Sequence, residues 1–201
     1  MGAEIRLGPG DVLIITDMQN GFMPGGSLPV AGGDSIIGPL NAAIDIFAGA
    51  GLPVIFTRDW HPPGHCSFRD GGGPWPAHCV EGTDDAAFSP GLRMPPGSLV
   101  ISKAVEPDRE QYSAWLGRDE SGRTMAENLR ALKAERVFIG GVATEYCVYN
   151  TVLDILKDGY CVFVLEDGVK PVEVKPGDGG TALKNMEERG ARLIATRQLK
   201  G

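Results

Sequence analysis

Cys147 stands at the end of Gly140-Gly-Val-Ala-Thr-Glu-Tyr-Cys147, directly after a short run of Val, Phe and Ile. A thiol delivered just beyond a strand is placed to act as a nucleophile. With Thr144 as the cap of a following helix, Cys147 falls in its first turn. Unpaired N–H groups and the positive end of the helix dipole favour the thiolate there, and the Ala143 and Cys147 amides could hold an oxyanion. A lone cysteine is more often a small core residue, but this one has company. Asp17 follows a second apolar run and Lys103 a third. A cation beside the thiol would stabilise the thiolate, and a carboxylate could accept its proton. Taken singly, Lys103 reads as a solvated charge and Asp17 as a turn residue; the coincidence at strand ends is the signal.

A second cluster reads as a metal site. In Asp59-Trp-His61 the carboxylate and imidazole are two residues apart on an extended chain, so they share a face. His65 and His78 follow, and with His61 they are all the histidines of the chain. Mixed oxygen and nitrogen donors suit Zn²⁺, Fe²⁺ or Mn²⁺, zinc above the others. A lone Asp-X-His is weak and a loop histidine is commonly solvated, yet three histidines confined to one loop are less easily dismissed. Phe22, Trp60, Trp75 and Tyr112 also fall in loops, where they could stack on a flat ring or simply pack.

These residues need elements to bring them together. Apolar runs at 12–16, 53–58, 98–102, 136–140, 161–165 and 192–196 are mostly continuous rather than alternating, as in strands buried on both faces. Helical periodicity fills 34–50, 124–134, 145–157 and 178–189, with a capping-box pattern at Thr124-Met-Ala-Glu127 and glycines past two helix ends. Alternating strands and helices predict a three-layer α/β/α fold around a Rossmann-like, mostly parallel sheet of about six strands. The exception is 61–97, rich in Pro and Gly and without period; a connection this long is usually functional or disordered, and this one contains the histidines. In a parallel sheet, ligands bind beyond the carboxyl ends of the strands, where Asp17, Asp59, His61, Lys103 and Cys147 fall.

The 201 residues and 42% hydrophobic content suit one domain over 1–201. A net charge of −7 argues against a nucleic-acid partner. No run reaches the roughly 20 apolar residues of a membrane span, and Met1 to Pro9 is no leader. Cys66, Cys79, Cys147 and Cys161 lack CxxC spacing and read as free thiols in a cytoplasmic protein. Composition leaves a homo-oligomer open.

Asp17-Met-Gln-Asn20, Asp59-Trp-His-Pro-Pro-Gly-His-Cys-Ser67, Trp75-Pro-Ala-His-Cys79 and Gly141-Val-Ala-Thr-Glu-Tyr-Cys147 resemble, in sequence and order, the isochorismatase-like hydrolases, and among them the nicotinamidases (also called pyrazinamidases). The resemblance runs from about Val12 to the C-terminus. It implies Asp17, Lys103 and Cys147 as a catalytic triad and Asp59, His61 and His78 as ligands of one divalent transition metal. His65 matches a position that coordinates the metal in some members and only approaches it in others. Phe22, Trp75 and Tyr112 match pocket aromatics, and a cis peptide would join Val142 to Ala143. The segment Pro107-Asp-Arg-Glu110 is more charged than the family pattern. The implied activity is hydrolysis of nicotinamide to nicotinate and ammonia through a cysteine thioester, in NAD salvage, with pyrazinamide as a further substrate. The nearest rival is another amide or N-carbamoyl hydrolase of the superfamily. A non-catalytic metal or redox module would leave Asp17 and Lys103 without a role.

Overall fold

A computed structural model describes residues 3–201; Met1 and Gly2, the start of the segment read above for a leader, lie outside it. The strands are β1 (Ile5–Arg6), β2 (Asp11–Thr16), β3 (Val54–Asp59), β4 (Leu99–Lys103), β5 (Arg136–Val142), β6 (Cys161–Lys170), β7 (Arg192–Ile194) and β8 (Leu199–Lys200). Helices α1 (Ile37–Gly49), α2 (Met125–Ala131), α3 (Tyr149–Lys157) and α4 (Asp178–Glu188) fall inside the expected segments. Thr124 and Glu127 form the expected capping box, with Thr124 Oγ1 accepting from Glu127 N–H at 3.2 Å and Glu127 Oε2 accepting from Thr124 N–H at 2.7 Å.

Six strands form one sheet in the order β4-β3-β2-β5-β6-β7, every pair parallel. Both faces are covered, which explains the continuous apolar runs. Leu13 and Ile15 pack with Leu40, Ala43, Ile44 and Phe47 of α1. Val12 and Ile14 pack on the other face with Met125 and Leu129 of α2, Val152 and Ile155 of α3, and Met186 of α4. The period-two alternation of β2 thus serves two cores at once. A small parallel pair, β1 with β8, was not legible in the sequence because each strand has only two residues. Among the described residues, no helix is long and apolar enough to cross a membrane.

From β2 the chain builds outward through β3 to β4, then returns to the other side of β2 with β5. That reversal puts a crevice beyond the carboxyl ends of β2 and β5. The two strands approach closely because β5 carries Gly140 and Gly141 near its end. A Cβ on Gly141, at φ +123°, would lie 2.0 Å from the Thr16 carbonyl oxygen. We predict that Gly141→Ala destabilises the fold by about 3 kcal/mol or more, from backbone strain and overpacking together. Urea unfolding checks this, and an unchanged midpoint would refute the need for glycine.

Candidate active site

Four adjacent strands, β4, β3, β2 and β5, each deliver one group to the crevice. After β2 the chain turns sharply: Asp17 has φ +51°, a region aspartate tolerates better than most residues. Thr57 on β3 donates its hydroxyl to Asp17 Oδ1 at 2.6 Å, leaving Oδ2 directed to Lys103 Nζ at 3.0 Å. Asp59 ends β3 and Lys103 ends β4 as paired neighbours, and the two side chains are ion-paired. Lys103 Nζ also lies 3.3 Å from Cys147 Sγ. An oxygen of Asp17, one of Asp59 and Cys147 Sγ all lie within 4.8 Å of one another. The lysine is fully buried, so the reading of Lys103 as a solvated charge is excluded.

Burial alone would discharge Lys103, but Asp17 and Asp59 outweigh it and hold its pKa well above the ordinary lysine value. For Asp17 burial wins over Lys103, and the carboxyl is raised. For Asp59 burial is overcome by Lys103, His61 and His78, and the carboxyl is lowered. Cys147 departs from expectation. Burial pushes its thiol well above the usual range, with Lys103 opposing and Asp17 and Asp59 adding to the rise. In the field of the protein's own groups the thiol form wins, because low dielectric disfavours a further anion beside two carboxylates.

The nucleophile helix also starts differently from the sequence reading. Ala143, not Thr144, is its N-cap, and Thr144–Val148 winds as a π turn before α3. The Thr144 hydroxyl is buried without a partner. The wide turn has a chemical consequence. The Ala143 carbonyl accepts from Tyr146 N–H at 3.1 Å and Val148 N–H at 3.2 Å, passing over the Cys147 N–H between them. The Val142–Ala143 peptide is cis. Ala143 and Cys147 both line the cleft.

Beside the thiol lies a donor set. Asp59, His61 and His78 are buried, and one ligand atom from each comes within 4.8 Å of the others. Each imidazole is anchored through Nδ1 to a backbone carbonyl, His61 to His78 O at 3.1 Å and His78 to Pro76 O at 2.8 Å. Nδ1 then carries the proton and Nε2 presents its lone pair, the usual arrangement of metal-ligating histidine. Burial pushes the His61 pKa down to about 4, so the ring is neutral near pH 7. Charge points the same way: one ammonium between two buried carboxylates leaves a negative charge uncompensated. The residues fit a divalent transition metal. His65, although fully buried, is not among the converging ligands.

The cleft is lined by Phe22, Trp75 and Tyr112, the aromatics picked from the sequence, and by Tyr146, Leu28 and Val172, which were not. Trp75 donates its indole N–H to Tyr112 Oη at 3.0 Å, and Tyr146 packs edge-on against Trp75 with centroids 5.1 Å apart. Trp60 is not in the lining; it stacks under the Arg58 guanidinium at 3.7 Å. Gln19 was also missed. Its Oε1 accepts from Asp59 N–H at 2.8 Å and its Nε2 donates to the Asp59 carbonyl at 2.7 Å, clamping that peptide from both sides. Its signal in the sequence was its place in the Asp17-Met-Gln-Asn20 motif, two residues after Asp17.

The arrangement can attack a carbonyl with a thiol, hold the oxyanion on backbone amides and pass a proton through Asp17. The isochorismatase domain model matches residues 11–198. A nicotinamidase of Acinetobacter baylyi is 35% identical over 204 residues, covering 93% of each chain. The pyrazinamidase of Pyrococcus horikoshii, solved in complex with zinc, is 47% identical with a TM-score of 0.86, over 93% of this chain and 99% of that one. PnC1 of L. infantum, solved in complex with nicotinate, is 36% identical with a TM-score of 0.86 over 95% of each chain. With the family model spanning residues 11–198 and relatives of this identity matched nearly end to end, the chain belongs to the isochorismatase family and is an amidohydrolase.

Proposed function

We propose that the protein is a nicotinamidase, a cytoplasmic single-domain enzyme that hydrolyses nicotinamide to nicotinate and ammonia in NAD salvage and also accepts pyrazinamide. One observation carries this reading: the Asp17–Lys103–Cys147 cluster shares an aromatic-lined cleft with the Asp59, His61 and His78 donor set. The cluster supplies amide chemistry, and the donor set with Phe22, Trp75, Tyr112 and Tyr146 suits a flat ring bearing a basic nitrogen.

Cys147 Sγ attacks the amide carbonyl as its proton passes to Asp17, whose raised pKa makes it a competent acceptor. The Ala143 and Cys147 amides receive the oxyanion. Collapse breaks the C–N bond, and Asp17 returns the proton to the leaving nitrogen, releasing ammonia and a Cys147 thioester. Asp17 then takes a proton from the attacking water, and collapse frees nicotinate and restores the thiol. Lys103 holds Asp17 and Asp59 in place and moderates the thiol. Asp59, His61 and His78 would hold the metal, zinc being the leading identity with iron or manganese as alternatives. When bound, it supplies a Lewis acid toward the ring nitrogen or a water.

Conversion of nicotinamide by the purified, zinc-loaded protein is the primary test, with an N-carbamoyl amine as the competing substrate. Preference for the carbamoyl compound would refute the nicotinamide reading. Cys147→Ala should lower turnover by about 1,000-fold or more while leaving fold and zinc content unchanged. Substantial residual activity would remove Cys147 as nucleophile. Chelation should abolish activity and zinc restore it, and His61→Ala should not retain zinc on dialysis. Full activity in demonstrably metal-free protein would exclude the metal from the reaction.

A pH profile tests Lys103. Its charge lowers the Cys147 pKa, so its removal leaves burial and the carboxylates unopposed and raises that pKa further. Lys103→Met should therefore move the alkylation profile of Cys147 to higher pH and slow modification at pH 7. The variant also unpairs two buried carboxylates, a loss of about 3–5 kcal/mol, so circular dichroism must first establish that it is folded. A folded variant with an unmoved profile would detach Lys103 from the thiol.

A further inference from the structure

His65 is fully buried beside the converging ligands without being one of them, and both its nitrogens are engaged. Nδ1 accepts from Ser67 N–H at 3.2 Å and lies 2.8 Å from Ser67 Oγ. The hydrogen-bond network therefore assigns the lone pair to Nδ1 and the proton to Nε2. Nε2 lies 3.1 Å from the Arg109 carbonyl, to which it donates. One residue on, Cys66 N–H donates to the Pro107 carbonyl at 2.8 Å. These two bonds tie the loop of the donor set to 107–112, which begins with the charged stretch that departs from the family pattern. That segment supplies Glu110, Gln111 and Tyr112 to the cleft lining. Its far end is anchored separately, through the Gln111 side chain to Ala104 N–H at 3.3 Å and the Ser113 carbonyl at 3.1 Å. The near end is held across to the donor loop by the His65 and Cys66 bonds, and within the chain by Arg109 N–H donating to the Glu106 carbonyl at 3.2 Å. The His65 ring also packs on His61, with centroids 4.6 Å apart.

We propose that His65 is a positioning residue of the substrate cleft and not a metal ligand: its Nε2–H strap holds the 107–112 wall against the loop that carries His61 and His78. A ligand role would need one nitrogen to give up its present partner, and releasing Nε2 would leave the middle of the wall held only from its two sides, by Cys66 N–H on the Pro107 carbonyl and Trp75 Nε1–H on Tyr112 Oη. Losing the strap loosens the surface that Tyr112 presents to the ring while leaving the thiol and the donor set intact. The kinetic part of the proposal rests on the nicotinamide reading; the structural part does not.

The test compares zinc-loaded wild type with His65→Leu, which has no donor, and His65→Gln, which keeps an N–H of similar reach. His65→Leu should hold zinc at the wild-type stoichiometry and exchange the backbone amides of 108–112 about 10-fold faster. It should raise KM for nicotinamide about 5- to 10-fold, as loss of one buried hydrogen bond would, with kcat within about 2-fold. His65→Gln should restore slow exchange and low KM, a rescue that a purely space-filling role would not give. Loss of zinc from His65→Leu, or unchanged exchange in 108–112, overturns the proposal. If His65→Leu does not fold, nitrogen-15 shifts of wild-type His65 decide the matter. A protonated Nε2 that persists on adding zinc supports the strap, and a metal-bound His65 nitrogen refutes it. Wild type that fails to hydrolyse nicotinamide overturns the activity reading alone, since zinc content and amide exchange are read without substrate.

Discussion

A single ammonium buried among two carboxylates and a thiol is the constraint from which the rest of this molecule follows. Lys103 can keep its charge without solvent only because Asp17 and Asp59 both reach it. That requires four strand ends at one level. The registers provide it: Thr16 pairs with Thr57 and with Gly141, and Asp59 pairs with Lys103. A slip of one residue in β4 would turn Lys103 to the opposite face and leave two buried carboxylates unpaired. The glycine-rich end of β5 serves the same end, letting β2 and β5 close up so that Asp17 and Cys147 share the crevice.

The low dielectric that strengthens the ion pairs also works against the nucleophile. It holds the Cys147 thiol above its usual range even with a lysine alongside, because the two carboxylates that keep Lys103 charged also repel a thiolate. The site therefore stores its proton on sulfur and places beside it a carboxyl whose pKa is raised by the same burial. The raised carboxyl is a stronger proton acceptor than an ordinary aspartate, and it faces a thiol whose proton is held more tightly than usual. A cation on the Asp59, His61 and His78 side would offset the remaining negative charge, which links the donor set to the triad through Asp59.

The long connection after β3 is held by side-chain clamps rather than regular secondary structure. Gln19 grips the Asp59 peptide on both sides. Asp85 Oδ2 accepts from Cys79 N–H at 2.7 Å and from Ser27 Oγ at 2.6 Å, joining the chain next to His78 to the loop that carries Phe22 and Leu28. His65 does the same for the 107–112 wall. Buried polar side chains satisfied by backbone groups can fix an irregular loop as a ladder fixes a strand.

By itself the sequence determined the layered parallel fold, since continuous apolar runs alternating with periodic helices leave few other ways to bury both faces of a sheet. It also marked Asp17, Asp59, His61, Lys103 and Cys147, because strand ends in such a fold share one rim. Local rules sufficed where the interaction was local, as in the Thr124–Glu127 capping box. Tertiary structure decided what depends on distant partners. The order of the strands and Gln19 on Asp59 were not legible, because each rests on contacts between segments far apart in the chain, and the π turn over the Cys147 amide was not, because no residue pattern separates it from an ordinary helix start. The protonation of Cys147 was misjudged for the same reason. A helix terminus and a nearby cation can be read from sequence, but the burial that outweighs them exists only once the sheet, the loop and α3 have closed around the thiol.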